Sequence, residues 1–265
     1  MKIYDHHNQP IILGLSGKAG SGKTSVAESI IPKGSMELVK YGVLWDHIFY
    51  ALPLYEMASI RRNIIGINEE SRKLHALHEV LYEVYGGSSI GNMPHYNILI
   101  SKVKEIYNLP IDLEGTKPRG FLQEAGDICR EFDSNCFSTW GIIKANKLYR
   151  QFIRRSEDSD KYSDTLTPMC IIISDVRYKN EALSILKQPN GFVISFDADK
   201  DTLDDRLIKR DGQLMSSNHS GHSSEQDCDE VRALASAIID TNNMNLQQQV
   251  EATLECLGIG SVTNA

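Results

Sequence analysis

Near its start the chain reads Gly17-Lys18-Ala19-Gly20-Ser21-Gly22-Lys23-Thr24, after the apolar run Ile11-Ile12-Leu13-Gly14-Leu15 and before Ser25-Val26-Ala27. The spacing G-x-x-x-x-G-K-[ST] is met by Gly17, Gly22, Lys23 and Thr24 between an expected strand and an expected helix. Glycines there let the backbone curl until successive N–H groups, from Ala19 to Ser25, point at one anion. The helix that opens at this point adds the positive end of its dipole. Lys23 is placed to reach β- and γ-phosphates, and the Thr24 hydroxyl to ligate Mg²⁺. The pattern predicts nucleotide binding and is silent on the reaction.

A second group of polar residues ends another apolar run. Met169-Cys170-Ile171-Ile172-Ile173-Ser174 leads into Asp175, Arg177, Asn180 and Glu181 within "DVRYKNEA". A carboxylate at a strand end beside a phosphate loop suits Mg²⁺ or its waters, so Asp175 joins Thr24 as an expected metal ligand. In "TLDDRLIKRDG", Arg206 and Arg210 lie four apart and share a helix face, where they can clamp phosphates or cover a base; a solvated basic face is the alternative.

The elements that must position these groups follow from hydrophobic patterning. Strands are expected at Ile11–Ser16, ending near 47–51, at Met169–Asp175, at Phe192–Phe196 and at Ala237–Asp240. Helices are expected over 22–31, 53–65, within 69–107, over 117–132 and 138–155, and from about Leu246 to Leu257. Strands alternating with helices, the first opening into a glycine loop, imply an α/β P-loop NTPase with a doubly wound, mostly parallel five-stranded sheet. The whole of 1–265 reads as one domain, with 66–118 a helical insertion on the sheet.

Composition narrows the partners. The net charge of −7 over 265 residues offers no general basic field, so nucleic acid is a poor partner and small anions are better ones. Five cysteines form no C-x-x-C pair and read as reduced, buried thiols of a cytoplasmic protein. No apolar signal core or membrane-spanning run is read, so no membrane partner is expected. Trp140 is expected in the core. His219, His222 and Cys228, and the pair His75 and His78, lack the ligand number of a zinc site.

Taken together, these motifs resemble those of the bacteriophage-type deoxynucleoside monophosphate kinases, within the P-loop nucleoside monophosphate kinases and near dephospho-CoA kinase. Beyond the loop, the family series of arginine, Leu-Gln, glycine, arginine and tryptophan is matched by Arg119, Leu122-Gln123, Gly126, Arg130 and Trp140. Its "DVR-x-x-NEA" element is matched by Asp175 to Ala182, and a late His-x-Ser-Glu element by His222 to Glu225. The resemblance covers most of 11–258 and is thin between about 67 and 115. One element departs: after the second strand the family carries Ala-Asp-Pro-Leu-Lys, whereas here Leu52 and Tyr55 replace the acid and the base. Asp46 and Glu56 are nearby acids.

The resemblance implies ATP with Mg²⁺ as cofactors and phosphoryl transfer to a small-molecule acceptor, a (deoxy)nucleoside monophosphate, in the cytoplasm (the host's, where a phage encodes the chain). It makes 1–265 a single kinase domain with 211–230 a lid over the phosphates, and it leaves a homodimer open. Lys23, Asp175 and Arg210 would be catalytic; Gly17, Ala19, Gly20, Ser21, Gly22, Lys23, Thr24, Ser25 and Arg206 would hold ATP. Arg119, Gln123, Arg130, Arg177 and Glu181 would hold the acceptor, arginine's planar fork matching phosphate oxygens in pairs. Two alternatives stand: a related kinase acting on dephospho-CoA, a nucleoside or a polynucleotide end, or a nucleotide-binding switch whose transferase activity has decayed.

Overall fold

The computed structural model describes residues 9–31, 39–40, 42–63, 69–86, 95–107, 119–157, 168–211 and 227–259. The chain divides into two compact units, one of residues 1–49 and 142–265, the other of residues 50–141.

The first unit is built on a sheet ordered β2-β3-β4-β1-β5-β6. Its strands are β1 (Ile11–Ser16), β2 (Val39–Lys40), β3 (Val43–Ile48), β4 (Met169–Val176), β5 (Gly191–Asp197) and β6 (Ala237–Asp240). The five expected strands are all parallel; β2, a two-residue antiparallel edge on β3, is an addition too short to leave a pattern. β1 and β4 are buried almost throughout, which is why they read as unbroken apolar runs and not as alternating ones. On one face, α1 (Lys23–Ile30) and α10 (Leu246–Cys256) pack over Leu13, Leu15, Trp45, Ile172 and Phe196. On the other lies α7 (Lys179–Leu186). Gly14 makes room for it, since a Cβ there would stand 2.7 Å from Ile185 Cδ1. The remaining helices of this unit are α8 (Lys200–Asp211) and α9 (Cys228–Leu234), the latter packed on α7 and β5.

The second unit is helical: α2 (Leu52–Asn63), α3 (Glu69–Val84), α4 (Tyr96–Tyr107), α5 (Arg119–Phe132) and the start of α6 (Cys136–Glu157). It reaches well beyond 66–118 on both sides. Leu77, Leu81 and Val84 of α3 are buried as their helical spacing predicts. Trp140 is core at 3% exposure, and Cys129, Cys136, Cys170 and Cys228 are buried while Cys256 is exposed. The Tyr85 hydroxyl donates to the Cys129 carbonyl at 2.8 Å, joining the end of α3 to α5. Among the described residues, no helix is long and apolar enough to cross a membrane.

Candidate functional site

Parallel strands bring their carboxyl ends to one edge, and the chain leaves β1 toward β3 on one side but leaves the adjacent β5 toward β6 on the other. Such a switch point leaves a crevice for ligands. Ser16 pairs with Val176 of β4 and with Ser195 of β5, so Gly17 begins at the level of Asp175–Arg177 and of Phe196–Asp197.

The loop from Gly17 to Gly22 is held tightly. Gly17 has φ 139°, and a Cβ on it would collide with the Phe196 carbonyl and lie 2.7 Å from Ser21 Oγ. Gly22, at φ 98° and ψ −9°, is the left-handed N-cap of α1 and makes no side-chain cap. A Cβ there would collide with Gln249 Oε1. The Phe196 main chain bars a side chain at Gly17, and at both positions the positive φ is one that L residues avoid. The Ser21 N–H closes the turn on the Lys18 carbonyl at 3.2 Å, and Lys23 Nζ folds over the loop to donate to the same carbonyl at 3.1 Å. Lys23 is only 7% exposed, whereas Thr24 and Ser25 are exposed on the first turn of α1. Beside the loop lies a cleft lined by Gly17, Phe196, Leu203 and Cys228. Its rim carries the ion pairs Lys18–Asp229 at 3.2 Å and Arg232–Asp197 at 2.9 Å.

At the end of β4, Asp175 and Arg177 are half-buried. Glu181, expected to touch the acceptor, is 2% exposed, and its carboxylate accepts from the backbone N–H groups of Arg177 at 2.9 Å and Tyr178 at 3.1 Å. It caps α7 and fixes the backbone that carries Arg177, so its contribution to a site runs through that arginine. Arg206, expected on ATP, instead donates to Thr241 Oγ1 at 3.0 Å and to the Thr241 carbonyl at 2.5 Å, fastening α8 to the end of β6. Thr241 is fully buried and bound in turn to the Asp197 carbonyl. The side chain of Arg210 and residues 212–226, most of the expected lid with His219 and His222, lie outside the described residues. The stretch expected to end that lid at 230 already contains the start of α9.

Sequence reasoning missed a histidine. His47 Nε2 pairs with Ser174 Oγ at 2.7 Å, next to Asp175. Burial pushes the His47 imidazole below its ordinary value, against the pull of the Asp175, Glu28 and Asp46 carboxylates. A serine–histidine pair invites a nucleophile reading, but the Asp46 carboxylate is engaged with the His47 backbone N–H at 2.7 Å, and Ser174 is 2% exposed. Burial also pushes the Asp46 carboxyl up, so it is a poor replacement for the acid lost at Leu52. Glu56 is exposed on α2.

In the helical unit, Gln123 is half-buried on α5, and the Arg119 side chain is outside the described residues. The Arg130 guanidinium lies 4.9 Å above the Phe137 ring, with Nη1 4.0 Å from Asp127 Oδ1. Gly126 lets it lie flat along α5, since a Cβ there would meet Nη1 at 2.8 Å. Among the described residues no three His, Cys, Asp or Glu side chains gather as a metal cluster. His78 is engaged with the Tyr96 hydroxyl.

The sheet order and the loop at its edge define an α/β fold of the P-loop NTPase type. No family model matches the chain, and no curated protein does. Among solved structures, the chain is similar to the crystal structure of TT1252 from Thermus thermophilus, at 14% identity over 93% of this chain and 97% of that one. The TM-score is 0.39, too loose a likeness to carry a function.

Proposed function

We propose that this protein transfers a phosphoryl group from ATP to a (deoxy)nucleoside monophosphate, giving the diphosphate. The observation that carries the reading is the braced loop at Gly17–Thr24, level with Asp175 and Arg177 at the switch point of the sheet. Phosphoryl transfer asks little covalent chemistry of a protein; it asks for two anions in line, positive charge around the transferring group, and exclusion of water. In this reading Lys23 and the loop amides bind the donor phosphates. Arg177, held at its backbone by Glu181, orients the acceptor phosphate, and the resemblance gives Arg119, Gln123 and Arg130 of α5 to the acceptor as well. Arg210, near the end of α8, is given to the transferring group by the resemblance.

The exposed Thr24 hydroxyl and the half-buried Asp175 carboxylate are hard oxygen donors of the kind Mg²⁺ takes alongside substrate phosphates. Bound there, the ion would neutralise charge on the β- and γ-oxygens. The test is ADP formation with Mg²⁺ over a panel of deoxynucleoside and nucleoside monophosphates, nucleosides, dephospho-CoA and 5′-hydroxyl oligonucleotides. Acceptor-dependent turnover confined to monophosphates supports the reading, and turnover confined to any other acceptor overturns it.

A second reading, a nucleotide-binding switch without transferase activity, is favoured by the engagement of Arg206 with Thr241 and by Leu52 and Tyr55 in place of charged residues. ATP binding with no acceptor-dependent turnover would select it.

A further inference from the structure

α10 covers the core with Val250 and Leu254, and its C-cap Leu257 joins them, yet the helix places a glutamine, Gln249, 5% exposed, against the phosphate loop. Its Nε2 donates to the Met244 carbonyl at 3.1 Å, which settles which end of the carboxamide faces which way. The oxygen therefore faces Gly22 and occupies the place where a Cβ would be. Oε1 is buried and finds no hydrogen-bond partner among the described residues; the same is true of Ser21 Oγ, within the loop, and Ser16 Oγ, just before it. A buried amide oxygen without a donor is costly, and an apolar side chain of the same shape would avoid that cost. What favours an oxygen here is the positive end of α1, which begins at Lys23 and has no side-chain cap at Gly22.

We infer that Gln249 is a positioning residue of the phosphate cradle: anchored at Met244, its carboxamide oxygen holds Gly22 left-handed and so aims the first-turn amides of α1 at a polyphosphate. The inference rests on the donor half of the proposed function, and it acts through Gly22 rather than through contact with a ligand.

Parent, Gln249→Glu and Gln249→Met are titrated by calorimetry, with Mg²⁺, against inorganic triphosphate and against a non-hydrolysable ATP analogue, and melted in parallel. A carboxylate in that place puts a full charge beside the anion. Gln249→Glu should lose about tenfold or more in affinity. Gln249→Met, isosteric and apolar, should lose about threefold. Each loss should be equal for the two ligands, because it arises at the phosphates, and the melting temperature of Gln249→Met should stay at or above the parent's. Parental affinity in the folded variants overturns the inference and leaves the kinase reading intact, as does a loss confined to the ATP analogue. A parent that binds neither ligand overturns both. Should Gln249→Glu fail to fold, Gln249→Met decides alone. Acceptor-dependent turnover plays no part here, so a parent that binds triphosphate without turnover sinks the kinase and not this role.

Discussion

The phosphate loop and helix α5 are made from different materials. Between Gly17 and Gly22 the groups proposed to face an anion are main-chain amides, set by positive φ at both ends and by the Phe196 carbonyl pressed on Gly17. On α5 the groups of interest are long side chains, and the one whose surroundings are described, Arg130, lies on Phe137 with an acid 4.0 Å away. A backbone site tolerates almost no substitution and depends little on rotamers. A side-chain site can be retuned, and its geometry depends on what packs beneath each arginine.

The sharpest way to break this contrast is Lys23→Ala, which removes the loop's own cationic side chain. It should cost about 10²–10³-fold in kcat, the size expected for one charge-stabilising group, in an ADP-release assay with the fold intact by circular dichroism. Turnover within a few-fold of parent would remove Lys23 from the chemistry. Next is Gly22→Ala, which adds only a methyl group but in the left-handed region and against Gln249. It should destabilise the protein by about 2 kcal/mol in urea unfolding and remove triphosphate binding.

On the side-chain half, Arg130→Ala should raise the acceptor KM about tenfold with ATP affinity unchanged, and Arg130→Lys should rescue it poorly because the planar fork is lost. Unchanged acceptor kinetics would confine Arg130 to its stack on Phe137. The smallest effect concerns His47. Its imidazole is held below its ordinary 6.5, so the unfolded chain binds the proton more readily than the folded one. Stability should therefore fall as pH drops through about 6.5 and level off below the folded value. His47→Gln should flatten that limb in urea titrations at successive pH values, whereas an unchanged slope would place the titrating group elsewhere.

The loop was legible because a φ above zero and a missing Cβ are demands only glycine meets, and they recur at a fixed spacing. The parallel strands were legible because burial on both faces writes an unbroken apolar run, as in Met169–Ile173. α9 was not: of its residues only Cys228 and Val231 are buried, so its sequence looks like surface loop. Glu181 was legible as important but not in its task, since the residue that caps a helix and the residue that binds a ligand are chosen from the same short set of types. The His47–Ser174 pair joins residues 127 apart, and the contact of Gln249 with Gly22 likewise spans most of the chain; strand order creates both, and no local pattern announces them.

The carbonyl of Phe196 pressed on Gly17 has one more implication. The arch of the loop leans on a strand that is itself flanked by β1 and β6, so its shape is templated before any guest arrives. A triphosphate entering such an arch has little chain to freeze, and contact energy is returned as affinity instead of being lost to ordering.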